Sequence, residues 1–184
     1  MDRSDNRRPN WQGQSPSVSP SARVDPSALI IGDVRIGAEV FVGPLSILHA
    51  DQAGGNGGFS RIEIGEGTRI GDGVILYCKA GACIEIGQRV TIGHGVIIHG
   101  PCQIGEGCVL QIRTLLYRAT IGPFVYVGLN SLLSNVDVPE HTEVPAGSVV
   151  CSPEDMRFFN VCGPDLAPSH RISTRKACVP GMRD

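Results

Sequence analysis

Aromatic residues are scarce in this chain of 184 residues: phenylalanine, tyrosine and tryptophan make up 5% of it, although 41% is hydrophobic. A core built from such a sequence consists of small aliphatic side chains, which suit a narrow interior. The net charge is -2, and no run of Lys or Arg is interleaved with aromatics, which argues against nucleic-acid binding. No apolar stretch is long enough to span a bilayer, so no membrane partner is predicted.

The chain also begins without the apolar segment of a secretory signal peptide. Its seven cysteines are odd in number, and Cys102 and Cys108 stand at matching places of successive repeats. Disulfides are rare in reducing compartments. We therefore predict reduced, partly buried thiols and a cytoplasmic location.

The chain does contain a six-residue repeat of Ile-Gly or Val-Gly dipeptides. A period of six fits neither an amphipathic helix nor a plain strand, and hexapeptide repeats are typical of a parallel β-helix. Each aliphatic residue then points into a three-sided coil of about eighteen residues and stacks on its equivalents above and below. The positions in strict register are Val24, Ile30, Ile36 and Val42, and further on Ile86, Ile92, Ile98, Ile104 and Leu110.

The repeat divides the chain into three parts. Residues 1–22 contain Pro, Ser and Arg but no repeat, which predicts a disordered N-terminal arm. Residues 23–151 are predicted to form the β-helix, with a mobile loop at the glycine-rich segment 53–58. Residues 152–184 are predicted to form a short helix over 152–159, opened by Ser152 and Pro153, followed by a loose tail.

Two histidines, His94 and His99, follow inward aliphatic positions of neighbouring repeats and are therefore predicted to lie outside the core. On different faces of one coil the two histidines would not readily bind one ion. In a trimer whose coils pack side by side, one histidine of a chain would come close to the other histidine of the neighbouring chain. Neutral imidazole is the commonest protein ligand of zinc. Histidines that are simply exposed, or that form hydrogen bonds in an interface, are the alternative.

The order of several motifs resembles the gamma-class carbonic anhydrase family and, within it, the carbonic-anhydrase-like domains of carboxysome assembly proteins. The similar stretch covers residues 24–160, and its most specific part is the two-histidine block. The motifs are residues 31–37, Asp51, residues 64–68, residues 72–73, residues 90–94, residues 98–108, Arg113 and residues 138–147.

The resemblance implies a homotrimer of left-handed parallel β-helices with a zinc ion at each subunit interface. His99 would come from one chain and His94 from its neighbour. A third histidine of the family falls at Tyr77, which makes the zinc site degenerate. The candidates for a replacement ligand are Tyr77 itself as a phenolate, Cys78 as a thiolate and His49 from a neighbouring strand.

Asp51 and Asp72 match family aspartates, and the resemblance gives them either a catalytic role, as groups that orient the imidazoles or relay the proton, or a structural one. Three further positions depart from the family: His49 replaces its arginine, and Arg69 and Gly71 replace its asparagine and glutamine.

The function implied is carbon dioxide hydration, a lyase reaction in which zinc lowers the pKa of bound water to about 7 and the hydroxide attacks carbon dioxide to give bicarbonate. With a degenerate site we expect this activity to be weak or absent. One alternative is a non-catalytic trimeric scaffold that binds protein partners in the assembly of a bacterial microcompartment or a larger complex. Another is a coenzyme A-dependent acyltransferase or thioesterase with a histidine as general base.

Overall fold

The computed structural model describes residues 6–50, 58, 60–78 and 81–161. They form a three-sided, left-handed parallel β-helix, as predicted. Short strands follow one another around the coil, because each repeat supplies one strand and the residues of one corner. Each strand pairs with the equivalent strand of the next coil.

The strands make three sheets, one on each side of the coil. Sheet A contains β1 (Arg7–Arg8), β4 (Leu29–Gly32), β7 (Ile47–Ala50), β10 (Ile75–Tyr77), β13 (Ile97–His99), β16 (Leu115–Tyr117), β19 (Leu132–Ser134) and β22 (Val149–Val150). Sheet B contains β2 (Ser17–Val18), β5 (Val34–Ile36), β8 (Arg61–Ile64), β11 (Cys83–Ile86), β14 (Cys102–Ile104), β17 (Thr120–Ile121) and β20 (Asp137–Val138). Sheet C contains β3 (Arg23–Val24), β6 (Phe41–Val42), β9 (Arg69–Ile70), β12 (Thr91–Ile92), β15 (Val109–Leu110), β18 (Tyr126–Val127), β21 (Thr142–Val144) and an antiparallel β23 (Asn160–Val161).

The core is a set of aliphatic columns along the axis of the coil. Side chains alternate across each strand, so that in sheet A the residue between two outward ones is buried. In-register pairing then stacks these buried residues from coil to coil, and burying each Leu or Ile fully contributes about 1.5–3 kcal/mol. The column of sheet A comprises Ile30, Leu48, Leu76, Ile98, Leu116 and Leu133.

Gly32, at the end of β4, is required for two separate reasons. Its φ is +85°, which disfavours any residue with a Cβ, and a Cβ built there would overlap the backbone carbonyl of Ala50 on the next coil. At Gly73 φ is +65° but a Cβ would meet nothing within 4 Å. A Cβ at Gly73 therefore has only the conformational cost of a positive φ, whereas a Cβ at Gly32 adds the steric cost of the overlap with Ala50.

We expect Gly32→Ala to lower the free energy of unfolding by about 3 kcal/mol or more, since it adds a backbone clash to a strained φ. Gly73→Ala is expected to cost about 1–2 kcal/mol, the penalty of the left-handed conformation alone. Urea unfolding of the two variants at one protein concentration measures the difference. Equal losses of unfolding free energy in the two variants would show that the close approach of Gly32 to the next coil does not contribute to the cost of the substitution.

The N-terminal part of the chain differs from the disordered arm predicted over 1–22. From Asn6 onward it contains β1, which pairs with β4, and β2, which pairs with β5. The turn between them is built on Asn10, whose Oδ1 accepts hydrogen bonds from the backbone N–H groups of Gln12 (3.0 Å) and Gln14 (2.9 Å). Backbone pairing and this turn order the segment, and Val18, six residues before Val24, packs against the core as a further position of the repeat.

The C-terminal end also differs in detail. The helix predicted over 152–159 is a four-residue 3₁₀ helix, Asp155–Phe158. The Asp155 carboxylate accepts hydrogen bonds from the backbone N–H groups of Cys151 and Ser152, both at 2.9 Å, so it stabilises a tight turn instead of a longer helix. Asp51, most of the glycine-rich segment 53–58 and the predicted tail 162–184 lie outside the described residues.

Within the ranges listed above, no helix has the length and apolar character that crossing a membrane requires.

Candidate functional site

Four rings lie side by side on the outer surface of sheet A, one from each of four successive coils. They belong to His49, Tyr77, His99 and Tyr117, which we call the ring ladder. Each is at the outward position next to the corner between sheets A and B, and in-register pairing places them on adjacent strands about 4.8 Å apart. Neighbouring ring centroids are separated by 5.7, 5.0 and 5.1 Å in that order.

His99 lies between two phenol rings, those of Tyr77 and Tyr117. Its Nδ1 is buried and has no hydrogen-bond partner among the described residues, an arrangement that costs about 1–3 kcal/mol.

His94 lies at the corner between sheets C and A, where its side chain is 60% exposed. Its Nδ1 lies 2.9 Å from the backbone nitrogen of Asp72, whose N–H it accepts, and 3.4 Å from the carboxylate Oδ2 of the same residue. While Nδ1 accepts this hydrogen bond, a neutral imidazole carries its proton on Nε2; a lone pair on Nε2 for a metal requires the other tautomer, in which Nδ1–H turns from the backbone N–H of Asp72 to its carboxylate. The backbone N–H of Asp72 thus contacts the imidazole of His94, and the catalytic or structural role of Asp72 stays a prediction.

His94 and His99 lie at opposite edges of the outer surface of sheet A, with β13 between them. The described residues of one chain contain no group of three or more His, Cys, Asp or Glu side chains that could hold a metal ion. The sharing of one ion by His94 and His99 of two copies stays a prediction.

The three candidates for the replacement ligand differ in position. Tyr77 faces outward directly beside His99. His49 also faces outward, but Tyr77 lies between it and His99. The ring of Tyr77 separates the two imidazoles, with centroid spacings of 5.7 Å to His49 and 5.0 Å to His99, so His49 is not adjacent to His99.

Cys78 is wrong as a candidate, because successive residues of a strand face opposite sides. Its side chain is buried in the core, and its thiol donates a hydrogen bond to the carbonyl of Ala82 at 2.7 Å. Burial raises the pKa of the Cys78 thiol to about 12, which disfavours the thiolate that a metal needs.

We expect iodoacetamide to modify Cys151 in the folded protein and to leave Cys78 unmodified. Cys151 is exposed, whereas with a pKa of about 12 roughly one Cys78 thiol in 10⁴ is ionised at pH 8. Peptide mass mapping after native labelling measures this, and raising the pH from 7 to 9 should not bring Cys78 into the labelled set. Labelling of Cys78 before unfolding would contradict the inward placement of its side chain.

The residues beside His99 do not fit a three-histidine zinc site. Zinc in proteins is bound by imidazole nitrogen, thiolate sulfur and carboxylate oxygen. The position next to His99 that would complete such a site holds the phenol of Tyr77, and the thiol that follows points into the core.

The outer surface of sheet A is also apolar, which sequence reasoning missed. Beside the ring ladder runs a column of outward aliphatic side chains, and more lie at the corner that carries His94. The column contains Leu29, Ile47, Ile75, Ile97, Leu115, Leu132 and Val149, and the corner adds Leu45, Ile112 and Leu129. We call these residues the apolar face.

The signal for this face was present in the sequence as aliphatic doublets. In the repeats of sheet A an aliphatic residue precedes the inward one, as in Ile97-Ile98 and Leu115-Leu116. In most repeats of sheet B the same place is polar, for example Arg35 and Glu63, whose side chains form an ion pair of 3.2 Å. One side of the coil is therefore suited to contact another apolar surface and a second side to contact water.

The fold is that of a hexapeptide-repeat β-helix, and the sequence of the chain is similar to carbonic anhydrases and their relatives. The chain is 27% identical to the carbonic anhydrase of Methanosarcina thermophila over 180 residues. This alignment covers 88% of this chain and 70% of that protein. It is 29% identical over 164 residues to the carboxysome assembly protein CcmM of a Nostoc species, covering 84% of this chain but 28% of that protein. The resemblance to the gamma-class carbonic anhydrase family is thereby confirmed.

Other relatives have different names. The carnitine operon protein CaiE of Escherichia coli is 36% identical over 145 residues, which are 76% of this chain and 59% of that protein. The solved structure of a hexapeptide transferase family protein from Anaplasma phagocytophilum superimposes with a TM-score of 0.68 at 26% identity, covering 83% of this chain and 88% of that one. No protein-family model matches the chain. The chain spans less than a third of the carboxysome assembly protein.

Proposed function

We propose that the protein is a carbonic-anhydrase-like homotrimer with a degenerate zinc site at each subunit interface, and that its carbon dioxide hydration is weak or absent. The observation that carries this proposal is the position of Tyr77, in register with His99 and 5.0 Å from it between ring centroids. This is where the resemblance expects the third histidine.

The apolar face supports the trimer. Its two edges differ, with the ring ladder along one and the corner of His94 along the other. A contact between unlike edges is heterologous, and a heterologous contact closes into a ring when the rotation per subunit is that of a trimer. Such a ring covers the aliphatic column and brings His94 of one copy to the ring ladder of the next. We call this contact the seam.

Elemental analysis and stopped-flow carbon dioxide hydration of the purified trimer test the site. We expect zinc well below one ion per chain and little hydration above the uncatalysed rate, because two imidazoles and a phenol bind zinc weakly. A gamma-class carbonic anhydrase measured under the same conditions is the positive control. One tightly held zinc per chain with robust turnover would contradict the proposal.

A non-catalytic scaffold is the second candidate, and an exposed tryptophan favours it. Trp11 is held on the turn built by Asn10, and 90% of its side chain is exposed. Tryptophan is enriched among residues that dominate protein interfaces. Relatives include a protein named for carboxysome assembly, so a place in a microcompartment is the corresponding proposal for location. A trimer that neither binds metal nor hydrates carbon dioxide would favour the scaffold.

A further inference from the structure

We propose that a cleft on the outer surface of sheet B binds a free α-amino acid with a cationic side chain, such as lysine. The cleft has a volume of about 420 Å³, which is within the range of small-molecule sites. Its lining residues all come from one chain and belong to sheet B and to the corner between sheets A and B. The inference therefore goes beyond the proposed function and depends on neither the seam nor a metal.

The floor of the cleft is a column of outward side chains on four adjacent strands. In-register pairing places Glu85, Gln103, Thr120 and Asp137 one above the other on β11, β14, β17 and β20. Adjacent strands are about 4.8 Å apart, so three strand spacings, about 14 Å, separate the backbone positions of Glu85 and Asp137. The column thus has a carboxylate at each end and two neutral polar side chains between them.

Arg118 supplies the positive charge of the cleft. It lies at the corner between sheets A and B, where its φ is +50° and its backbone N–H donates a hydrogen bond to the carbonyl of His99 at 3.2 Å. Arg118, Asp137 and Glu85 all line the cleft, yet none of them forms an ion pair with another described residue. The Glu85 carboxylate accepts only a neutral donor, the Gln103 amide at 3.3 Å. Three charges are therefore left to be matched by a ligand.

The order of these charges along the column selects the ligand. Arg118 matches a carboxylate, and Asp137, one coil further, matches an ammonium group attached to the same carbon as that carboxylate. Glu85, two coils away on the other side of Arg118, matches a second cation at the end of a flexible stem, which passes the amide of Gln103 and the apolar ring of Pro101. Two carboxylates and one guanidinium make the cleft negative, so a cationic amino acid neutralises it and a simple anion does not.

Calorimetric titration of the full chain tests which groups of the ligand are recognised. We expect saturable binding of L-lysine and weaker binding of three probes that each lack one charge. L-norleucine has no side-chain ammonium, Nα-acetyl-L-lysine has no α-ammonium, and 1,5-diaminopentane has no carboxylate. Because Glu85, Arg118 and Asp137 are exposed, each loss should weaken binding by about two- to fivefold. A titration that does not saturate at millimolar L-lysine would overturn the proposal.

Neutral variants assign each charge of the ligand to a side chain. Glu85→Gln should lose the preference for L-lysine over L-norleucine, Asp137→Asn the preference over Nα-acetyl-L-lysine, and Arg118→Gln the preference over 1,5-diaminopentane. A general loss of stability would not separate the probes in this way. Glu63→Gln is the matched control, because Glu63 is the register partner of Glu85 on the neighbouring coil but lies outside the cleft. All three preferences should persist in Glu63→Gln. A preference over L-norleucine that survives in Glu85→Gln, or disappears in Glu63→Gln, would contradict the site.

Discussion

Replacing Tyr77 with histidine is expected to convert a chain that does not retain zinc into one that holds about one zinc ion per subunit. The new imidazole would lie beside His99, in register with it, and would complete a set of three nitrogen ligands with His94 of the neighbouring copy. Zinc at about 100 times its dissociation constant would then stabilise the folded trimer by about 2.7 kcal/mol. Elemental analysis and thermal unfolding with and without zinc measure the change.

Carbon dioxide hydration of Tyr77→His should rise above that of the wild type while remaining limited. Arg69 and Gly71 stand where the resemblance expects an asparagine and a glutamine, so zinc-bound water would lack part of its support. A Tyr77→His trimer that takes up no zinc would show that Tyr77 does not occupy the ligand position.

Tyr117→His is the control for this gain of metal binding. It also places an imidazole next to His99, at a ring spacing of 5.1 Å in the parent, but on the coil whose corner carries Ile112. If two adjacent imidazoles on one chain were enough, both variants would retain zinc. We expect only Tyr77→His to do so.

Replacing Ile97 with aspartate is expected to dissociate the trimer into folded monomers. Ile97 lies in the middle of the apolar face and is 38% exposed in the single chain, so a folded monomer tolerates a charge there. In the trimer three carboxylates would be buried without partners, and the effective cost is several kcal/mol for each ion. Light scattering at micromolar concentration measures the mass, and circular dichroism shows that the coil is retained.

Phe41→Asp is the matched control for Ile97→Asp. Phe41 is a large apolar residue of almost equal exposure, 37%, but it lies on sheet C, where the guanidinium of Arg69 is 5.9 Å from the centre of its ring. This variant should remain trimeric. Dissociation by both variants would indicate a general loss of stability, and a persistent trimer in Ile97→Asp would contradict the use of the apolar face.

The sequence was a good guide to the core because the repeat is local. Alternation fixes which residue of each strand points inward, and a period of six fixes where the corners fall. The same rule placed His94 and His99 outside the core and predicted that adjacent strand residues face opposite ways, which removes Cys78 as a ligand. The doublets such as Ile97-Ile98 were equally local, and they could have revealed the apolar face.

Contacts between coils could not be predicted in the same way. The coils differ in length because the corner between sheets A and B varies, so spacing along the chain does not reveal that His49, Tyr77, His99 and Tyr117 share one column. The conformation of β1 was also hidden, because it lies before the repeat and depends on pairing with β4, whereas Val18 of β2 stands six residues before Val24 and could have been recognised as part of the repeat.

The sequence by itself therefore determined the coil, since inward and outward positions depend only on the alternation and period of the chain. Only the tertiary structure decided that Tyr77 lies beside His99 while His49 is one strand further away, that the backbone N–H of Asp72 contacts the ring of His94, and that the two histidines occupy opposite edges of one apolar face. The physical reason is that these relations depend on how coils of unequal length stack, and hydrogen bonding between strands sets that register.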